Sequence, residues 1–362
     1  MRRRLWPLAA LCVVVFFCGC NHFHHRKTET IYVSARRIFL RDRVAAVSAR
    51  VAEVENGQPL EVLEHGRRFY KVKTAKGQIG WIEEHAIIDG KTYATFAQLA
   101  ADHKQDPVVA TATLRDDLYM HVAAGREADH FYLLPGNTKV QLLIRASVPR
   151  QGPPGYAPPR PATVDGKTEV PPIPMEDWWL ARDSQGRTGW LLGSRVDVDA
   201  PEEIEGYCEG QRIVGAWKIA TVTDPDSGAP NHQVPEYLTI LSPPKSGLPF
   251  DFDQVRVFTW SLRHHRYETG FRLHPVQGFL PVQISSASVN GRTVPVFSFQ
   301  IPGSQNVAID PATGITRPAD PRTIRYEMID TQVKRIGPDL APLPSSRTAG
   351  KKSATRPAHK RK

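Results

Sequence analysis

Cysteine is scarce in this chain of 362 residues. Three of the four cysteines lie at positions 12, 18 and 20, and Cys208 is the only one in the rest of the chain. A disulfide needs two thiols, so no bridge can form after the first 20 residues, even in an oxidising compartment. The later domains must therefore be stabilised by burial of apolar side chains, and we expect Cys208 to lie in a core.

The motifs of common enzyme classes are absent as well. The sequence contains no Gly-x-Ser-x-Gly, no His-Glu-x-x-His and no glycine-rich phosphate loop. Residues 224–228 begin like a calcium loop but lack the closing Glu, and Asp251 and Asp253 stand at the entry to a strand. We interpret both segments as turns. The sequence predicts a protein that is not an enzyme and has no catalytic residue, metal or cofactor.

The excess of basic over acidic charge comes from the ends of the chain. The net charge of +10 falls to about zero once the three arginines at positions 2–4 and the seven basic residues after Ser345 are removed. A nucleic-acid-binding domain carries its Lys and Arg on a folded face, so the sequence predicts no nucleic-acid partner. The tail, residues 337–362, is predicted to be disordered. We expect it to be a solubilising end or an electrostatic contact with anionic lipid, lipopolysaccharide or cell-wall polymer.

The longest apolar run, residues 5–17, follows these first arginines and is shorter than the roughly 20 residues that span a bilayer. This pattern is typical of a secretory signal. The segment resembles the signal peptide of bacterial lipoproteins, in which a small residue precedes an obligatory Cys, here Gly19 and Cys20. The resemblance implies a signal peptide at residues 1–20, a tether at 21–28 and attachment of lipid to Cys20. Because Asn21 is not Asp, it also implies an outer-membrane location facing the periplasm.

Two stretches of short alternating strands, residues 29–89 and 108–200, repeat one another. The segment from Gly77 to Trp81 recurs, at an offset of 109, from Gly186 to Trp190. The second stretch contains a proline-rich insertion, residues 148–175, which we expect to be an extended surface loop rather than a strand. A short linker helix is predicted at residues 90–107. Its apolar face consists of Tyr93, Phe96, Leu99 and Ala100, and Pro107 ends it.

Both stretches resemble bacterial Src-homology-3-like domains, whose pattern is an opening Tyr-Val, a later aromatic-x-Val and a closing Gly-x-x-Gly-Trp. The first stretch matches at residues 32–33, 70–72 and 77–81, whereas the second has Ala181 in place of the Val and His121 in place of Arg41. The whole chain resembles uncharacterised bacterial lipoproteins with two such domains and a β-rich C-terminal domain.

Aromatic side chains are the candidate ligand-binding residues, because flat apolar rings suit peptides and glycan faces. The alternative is that they belong to the cores of the two small domains. Since Trp178 and Trp179 are adjacent in a predicted strand, their side chains point to opposite faces, and we expect one to be exposed. The candidates are Tyr32, Tyr70, Trp81, Trp178, Trp179 and Trp190.

Cys208 offers a minor enzymatic alternative. The segment Tyr207-Cys208-Glu209-Gly210 is similar to the Asp-Cys-Ser-Gly of cell-wall cysteine peptidases, which often carry Src-homology-3-like domains. A thiolate nucleophile needs a positioned His and usually a helix N-terminus. His264 and His265 lie instead at a predicted hairpin turn.

Residues 202–336 read as about seven strands separated by turns such as Asn290-Gly291, which predicts an antiparallel sandwich or barrel. The predicted fold class is therefore all-β, with two small Src-homology-3-like barrels joined by a short helix, this C-terminal β-domain, and disordered termini. The predicted function is that of a lipoprotein, anchored in membrane lipid through Cys20, whose paired domains bind peptidoglycan or peptides. The alternative is an envelope scaffold that contacts another envelope protein through the C-terminal β-domain. No oligomeric state is predicted.

Overall fold

The computed structural model describes residues 29–152, 162–164, 167–169, 173–304, 307–318 and 320–343. The predicted signal peptide with Cys20, the tether and most of the basic tail lie outside the described residues, so the predictions made for them stay predictions. In the described part of the chain, no helix is long and apolar enough to cross a membrane. The chain divides into two compact units, Met1–Gly90 and Lys91–Lys362.

The first unit forms one antiparallel sheet of seven strands, called here the first sheet, in the order β3-β2-β6-β5-β4-β1-β7. Alternate residues of these strands are buried in a shared core that includes Val33, Leu40, Val54, Val72 and Ile82. The period of two is the pattern expected for strands with one face in a core. The strands are β1 (Thr30–Val33), β2 (Arg37–Arg41), β3 (Arg50–Glu55), β4 (Pro59–His65), β5 (Phe69–Lys73), β6 (Ile79–Glu83) and β7 (Ile87–Ile88), with a 3-10 turn at Glu84–Ala86.

Helix α1 (Gly90–Asp102) starts at the boundary between the units, and the second unit continues with a second sheet of seven strands. In both sheets the order, counted along the chain within each sheet, is third, second, sixth, fifth, fourth, first, seventh. A two-stranded hairpin, β12 with β13, is inserted between the fourth and fifth strands of the second sheet. The strands of this region are β8 (Ala110–Leu114), β9 (Leu118–His121), β10 (His130–Leu134), β11 (Lys139–Pro149), β12 (Ala162–Val164), β13 (Lys167–Glu169), β14 (Met175–Arg182), β15 (Thr188–Leu192) and β16 (Val196–Val198), with a 3-10 turn at Gly193–Arg195.

The repeated Gly-x-x-Gly-Trp segment has a physical cause. Its first glycine, Gly77 or Gly186, has a positive φ of 79° or 80°, which glycine adopts without strain. At its second glycine the neighbouring strand comes very close. A Cβ on Gly80 would lie 2.8 Å from Leu40 Cβ, and one on Gly189 would lie 2.6 Å from Met120 Cβ. The motif therefore marks a tight turn followed by close packing of strands.

Helix α1 has the apolar face that the sequence predicts. Phe96 is buried and its ring lies 5.9 Å from that of Phe131 and 5.5 Å from that of Tyr132, both on β10. Leu99 packs against a buried cluster of the second sheet. The helix ends at Asp102 rather than at Pro107, and it is a packed part of the second unit rather than a free linker.

The prediction that the proline-rich insertion contains no strand is wrong in part. Strands β12 and β13 pair from Ala162 with Glu169 to Val164 with Lys167. Both are free of proline and contain β-branched residues, which favour strands. The neighbouring strands are also longer than predicted, since β11 continues to Pro149 and β14 begins at Met175.

The C-terminal part contains two four-stranded antiparallel sheets, β17-β18-β19-β20 and β21-β22-β25-β26, and the pair β23-β24. Aromatic contacts join the two larger sheets, such as Phe271 with Tyr326 at 5.2 Å between ring centroids. The elements are helix α2 (Glu202–Glu205) and strands β17 (Arg212–Thr223), β18 (Gln233–Ser242), β19 (Gln254–Ser261), β20 (Arg266–Leu273), β21 (Phe279–Val289), β22 (Arg292–Pro302), β23 (Val307–Ile309), β24 (Thr316–Pro318), β25 (Pro321–Ile329) and β26 (Gln332–Ile336), with 3-10 turns at Gly206–Cys208 and Pro230–His232.

These sheets confirm the predicted all-β class. Antiparallel structure predominates, and in the described ranges the sheets are open rather than closed barrels. The predicted Asn290-Gly291 turn joins β21 to β22, with positive φ angles of 51° and 78° at the two residues. Such a two-residue turn matches the right-handed twist of the strands that it connects.

Candidate functional site

A groove opens on the outer face of the first sheet, beside Trp81. Its cavity volume is about 510 Å³, and it is open to solvent on one side. Trp81 is half-buried, and a Cβ on Gly66 would lie 3.3 Å from the indole ring. The absence of a side chain at Gly66 therefore lets the β4–β5 loop lie directly against the tryptophan. The lining residues are Val44, Gly66, Arg67, Arg68, Phe69 and Trp81.

Trp81 lies in a row of cross-strand neighbours that includes two cations. Trp81 is directly opposite Arg41 on β2 and Lys71 on β5, and directly opposite residues of antiparallel strands share a face. Lys71 Nζ lies 5.9 Å from the centroid of the Trp81 ring, within the range of a cation–π interaction. An indole between two cations offers an apolar surface beside positive charge.

Three arginines around this groove are available to a ligand. Arg41, Arg67 and Arg68 form no ion pair with any residue in the described ranges. Arg37 on the same sheet is bound, by contrast, with Nε 3.0 Å from Glu53 and Nη2 3.0 Å from Glu55. The groove thus combines an aromatic wall with unpaired guanidinium groups, which suits a peptide that carries carboxylates.

The other two candidate aromatics of the first sheet do not line the groove. Tyr70 packs against the core cluster and its ring lies 4.9 Å from that of His65. Burial, together with the negative charges of nearby carboxylates, raises the pKa of Tyr70. Tyr32 lies on β1, opposite Pro59 and Ile88.

Sequence reasoning missed Phe69 and the arginines that follow Gly66. The alternation of inward and outward side chains along β5 could have identified Phe69 as a groove residue. Val72 is a core position, so Tyr70 faces the core as well, and Phe69 and Lys71 face outward with Trp81.

The three candidate tryptophans of the second sheet are buried. Trp178, Trp179 and Trp190 are 1%, 6% and 6% exposed, so the expectation that one of the adjacent pair is exposed was wrong. Trp178 and Trp190 belong to an apolar cluster that also contacts Leu99 of α1 and Ile315 of the C-terminal part. The strands do alternate, but both faces are covered at this point.

The C-terminal part covers the second sheet through the long strand β11. Ser147 N donates to Gly314 O at 2.8 Å, and Ala146 forms a β-bridge with Ile315. These contacts extend the sheet along the part of β11 that β8 does not pair. The C-terminal part thereby occupies a free edge of the second sheet.

A buried ion-pair network joins the same two parts. Arg145 donates from Nη1 to Asp177 and from Nε to Asp251, each at 2.9 Å. Its Nη2 donates to the carbonyl oxygens of Leu248 and Phe250. Burial raises the pKa of Asp251, while the Arg145 charge acts in the opposite direction. The guanidinium thus donates four hydrogen bonds, three of which join the second sheet to the C-terminal part.

Cys208 has the surroundings of a core thiol, as predicted. It is buried, its Sγ donates to Ile204 O at 3.4 Å, and burial raises its pKa. A raised pKa keeps the thiol protonated and a poor nucleophile. His264 and His265 lie in the turn between β19 and β20, also as predicted.

Asp224 forms a turn, as the sequence predicts. Its Oδ1 accepts from Asp226 N at 3.0 Å, and its Oδ2 accepts from Trp260 Nε1 at 2.7 Å and lies 2.8 Å from His265 Nδ1. The carboxylate is thus occupied by protein donors. In the portion of the chain that the structure covers, no three His, Cys, Asp or Glu side chains form a group that could hold a metal ion.

Comparison with known proteins recognises one segment of the chain. A family model described as a bacterial SH3 domain matches residues 38–87, which contain Trp81 and the rest of the groove. No curated protein sequence matches this chain.

Several solved structures resemble the chain weakly. NlpC2 from Trichomonas vaginalis is 9% identical, with a TM-score of 0.16, and the match covers 56% of this chain and 61% of NlpC2. An NlpC/P60 family protein from Bacillus cereus is 10% identical, with a TM-score of 0.22, and the match covers 48% of this chain and 57% of that protein. NlpC1 from Trichomonas vaginalis is 9% identical, with a TM-score of 0.16, and the match covers 80% of this chain and 87% of NlpC1. The chain thus spans less than two thirds of the first two of these proteins.

The prediction that the chain is not an enzyme is corrected here. The solved structures that it resembles are of the NlpC/P60 type, a family of cell-wall peptidases, and the prediction that the chain has no enzymatic activity is therefore withdrawn. At these TM-scores the resemblance assigns no reaction, substrate or catalytic residue to this chain. What the comparisons do identify is a bacterial SH3 domain at residues 38–87.

Proposed function

We propose that this chain is a cell-envelope lipoprotein whose first sheet binds a carboxylate-bearing peptide of the cell wall in the groove beside Trp81. The observation that carries the proposal is the position of Trp81, which opens onto a groove flanked by the unpaired Arg41, Arg67 and Arg68. The indole supplies apolar contact area, and the guanidinium groups select for carboxylates. The match of residues 38–87 to a bacterial SH3 domain supports binding at the cell wall.

The second sheet is, in this proposal, a diverged copy of the same domain. Its identical strand order and its Gly186-to-Trp190 segment support that origin. Because its outer face is buried, it supports the C-terminal part rather than binding the wall. A scaffold in the envelope, acting through the C-terminal part, is therefore the second candidate function.

Lipidation at Cys20 and an outer-membrane location facing the periplasm complete the proposal. The support comes from the sequence alone, in the apolar run, Gly19-Cys20 and the non-acidic Asn21. Incorporation of labelled palmitate in the bacterial host tests it. We expect label in the wild-type chain and none in Cys20→Ala, and label that persists in this variant would contradict lipidation at Cys20.

Binding to purified sacculi tests the groove directly. The full chain with Cys20→Ser, which removes the proposed acyl group, is mixed with sacculi and the bound fraction is measured after sedimentation. Trp81→Ala should weaken binding by at least about tenfold, since it removes an aromatic anchor. Ile79→Ala is the matched control, because Ile79 lies on the same strand and face, is exposed and does not line the groove.

The charge contribution is tested by a second matched pair. Arg67→Ala with Arg68→Ala should weaken binding and reduce its dependence on salt, because both guanidinium groups are unpaired. Arg37→Ala, whose guanidinium is engaged by Glu53 and Glu55, should leave binding unchanged. A Cys20→Ser chain that stays wholly in solution would refute wall binding. Equal binding by the chain that also carries Trp81→Ala would show that the wall is bound at a site other than this groove.

A further inference from the structure

The edge strands of a sheet present unpaired backbone groups, and proteins guard them with charge, bulges or covering segments. Most long edge strands of this chain are guarded in these ways. Strand β3 carries Arg50, Glu53 and Glu55, β20 carries three charged residues, and β17 contains two bulges. The free edge of β11 is covered by the contact of Ser147 with Gly314.

Strand β21 has none of these guards along most of its length. The strand contains no charged residue, and from Gln283 to Val289 it pairs with β22 in unbroken register. Within the described ranges, no strand pairs with its other edge. Gln283 to Ser286 and Ser288 are exposed, and Ile284 is 38% exposed. The edge is therefore flat, neutral and open to another strand.

The composition of this edge favours a second copy of the chain over a strand from another protein. Added strands are selected by pockets or charges beside the edge. Residues 283–288 carry no charge, and they do not line the cavity that Phe279, Leu280 and Pro281 of the same strand border. Antiparallel pairing of Gln283–Val289 with itself is symmetric about its central residue, Ser286. It brings no like charges together, and it sets Ile284 of each copy beside Ser288 of the other. A two-fold contact of this kind is self-complementary and closed.

We propose that β21 pairs with β21 of a second copy of this chain and joins two four-stranded sheets into one eight-stranded sheet. Cross-linking of the full chain in detergent tests this geometry. Ser286→Cys should give a disulfide-linked dimer on oxidation, because directly opposite Cα atoms lie about 4.5–5.5 Å apart. Thr293→Cys, an exposed position on the neighbouring β22, is the control, and the wild-type chain measures any background from the cysteines near the start.

Sedimentation velocity tests the association without a cross-link. Ser286→Lys should weaken dimerisation by at least about tenfold, because two lysines then face each other, whereas Thr293→Lys should have no effect. A wild-type chain that is monomeric at its highest soluble concentration would overturn the proposal. So would a dimer that Ser286→Lys leaves intact, or a monomer in which Ser286→Lys abolishes capture of another envelope protein, since the edge then has a different occupant.

Discussion

The first and second sheets share one strand order, yet the same face of each is used in opposite ways. In the first sheet the row across the face is Arg41, Trp81 and Lys71, and the face is open. In the second sheet the equivalent row is His121, Trp190 and Leu180, and it is covered by α1 and the C-terminal part. The Gly-x-x-Gly-Trp motif thus places its tryptophan beside a solvent-facing groove where the neighbouring residues are cations. Where the neighbouring residues are apolar or neutral, the tryptophan is buried against other parts of the chain.

The fourth strand of each sheet shows the same difference. The two strands carry a bulge at equivalent positions, Leu63 in β4 and Leu143 in β11. Leu63 is 44% exposed and Leu143 is 4% exposed. The longer β11 continues past its bulge into the C-terminal part, whereas β4 ends two residues after Leu63. The greater length of β11 therefore gives the second sheet the edge at which the C-terminal part pairs.

The largest expected effect comes from the buried guanidinium of the second sheet. Arg145→Ala leaves Asp251 buried without its cation, and it leaves Asp177 with only the half-buried Arg212, 3.1 Å away. Removing one member of a buried ion pair costs about 3–5 kcal/mol. The equivalent position of the first sheet is His65, which is exposed and pairs with Glu29, so His65→Ala should change the free energy of unfolding very little. Calorimetric unfolding of the full chain measures both variants. Equal effects of the two substitutions would contradict the docking function assigned to the second sheet.

The bulge leucines give the next largest difference. Leu143→Ala removes a buried side chain and should lower the free energy of unfolding by about 2–5 kcal/mol, since it leaves a cavity beneath the C-terminal part. Leu63→Ala is the same substitution at an exposed bulge and should change it by less than about 0.5 kcal/mol. Denaturant titration of each variant checks the comparison. A destabilising Leu63→Ala would show that this bulge is covered as well.

Much of this arrangement could be predicted from the sequence, because it depends on local pattern. Alternation and turn glycines predict the strands, and the offset between Trp81 and Trp190 predicts the repeat. The burial of Trp178 could not be predicted, because it depends on a segment near Ile315, more than a hundred residues later in the chain. The unpaired state of Arg67 and Arg68 was missed for a similar reason, since it depends on where the acidic residues of other strands lie.

The last expected effect is a pH dependence contributed by a buried histidine of the second sheet. His121 lies 5.0 Å from the Trp178 ring, and its burial lowers its pKa to about 4. Above about pH 6.5 the imidazole is neutral in both folded and unfolded chains. As the pH falls from about 6.5 towards 4, the unfolded chain takes up the proton first, so stability falls by at most about 1.4 kcal/mol per pH unit. His121→Phe, which keeps a ring against Trp178, should remove this component, and thermal unfolding of the two chains from pH 7 to pH 4 measures it. Identical pH slopes for wild type and His121→Phe would mean that the imidazole is solvated when folded, and that the face of the second sheet is open after all.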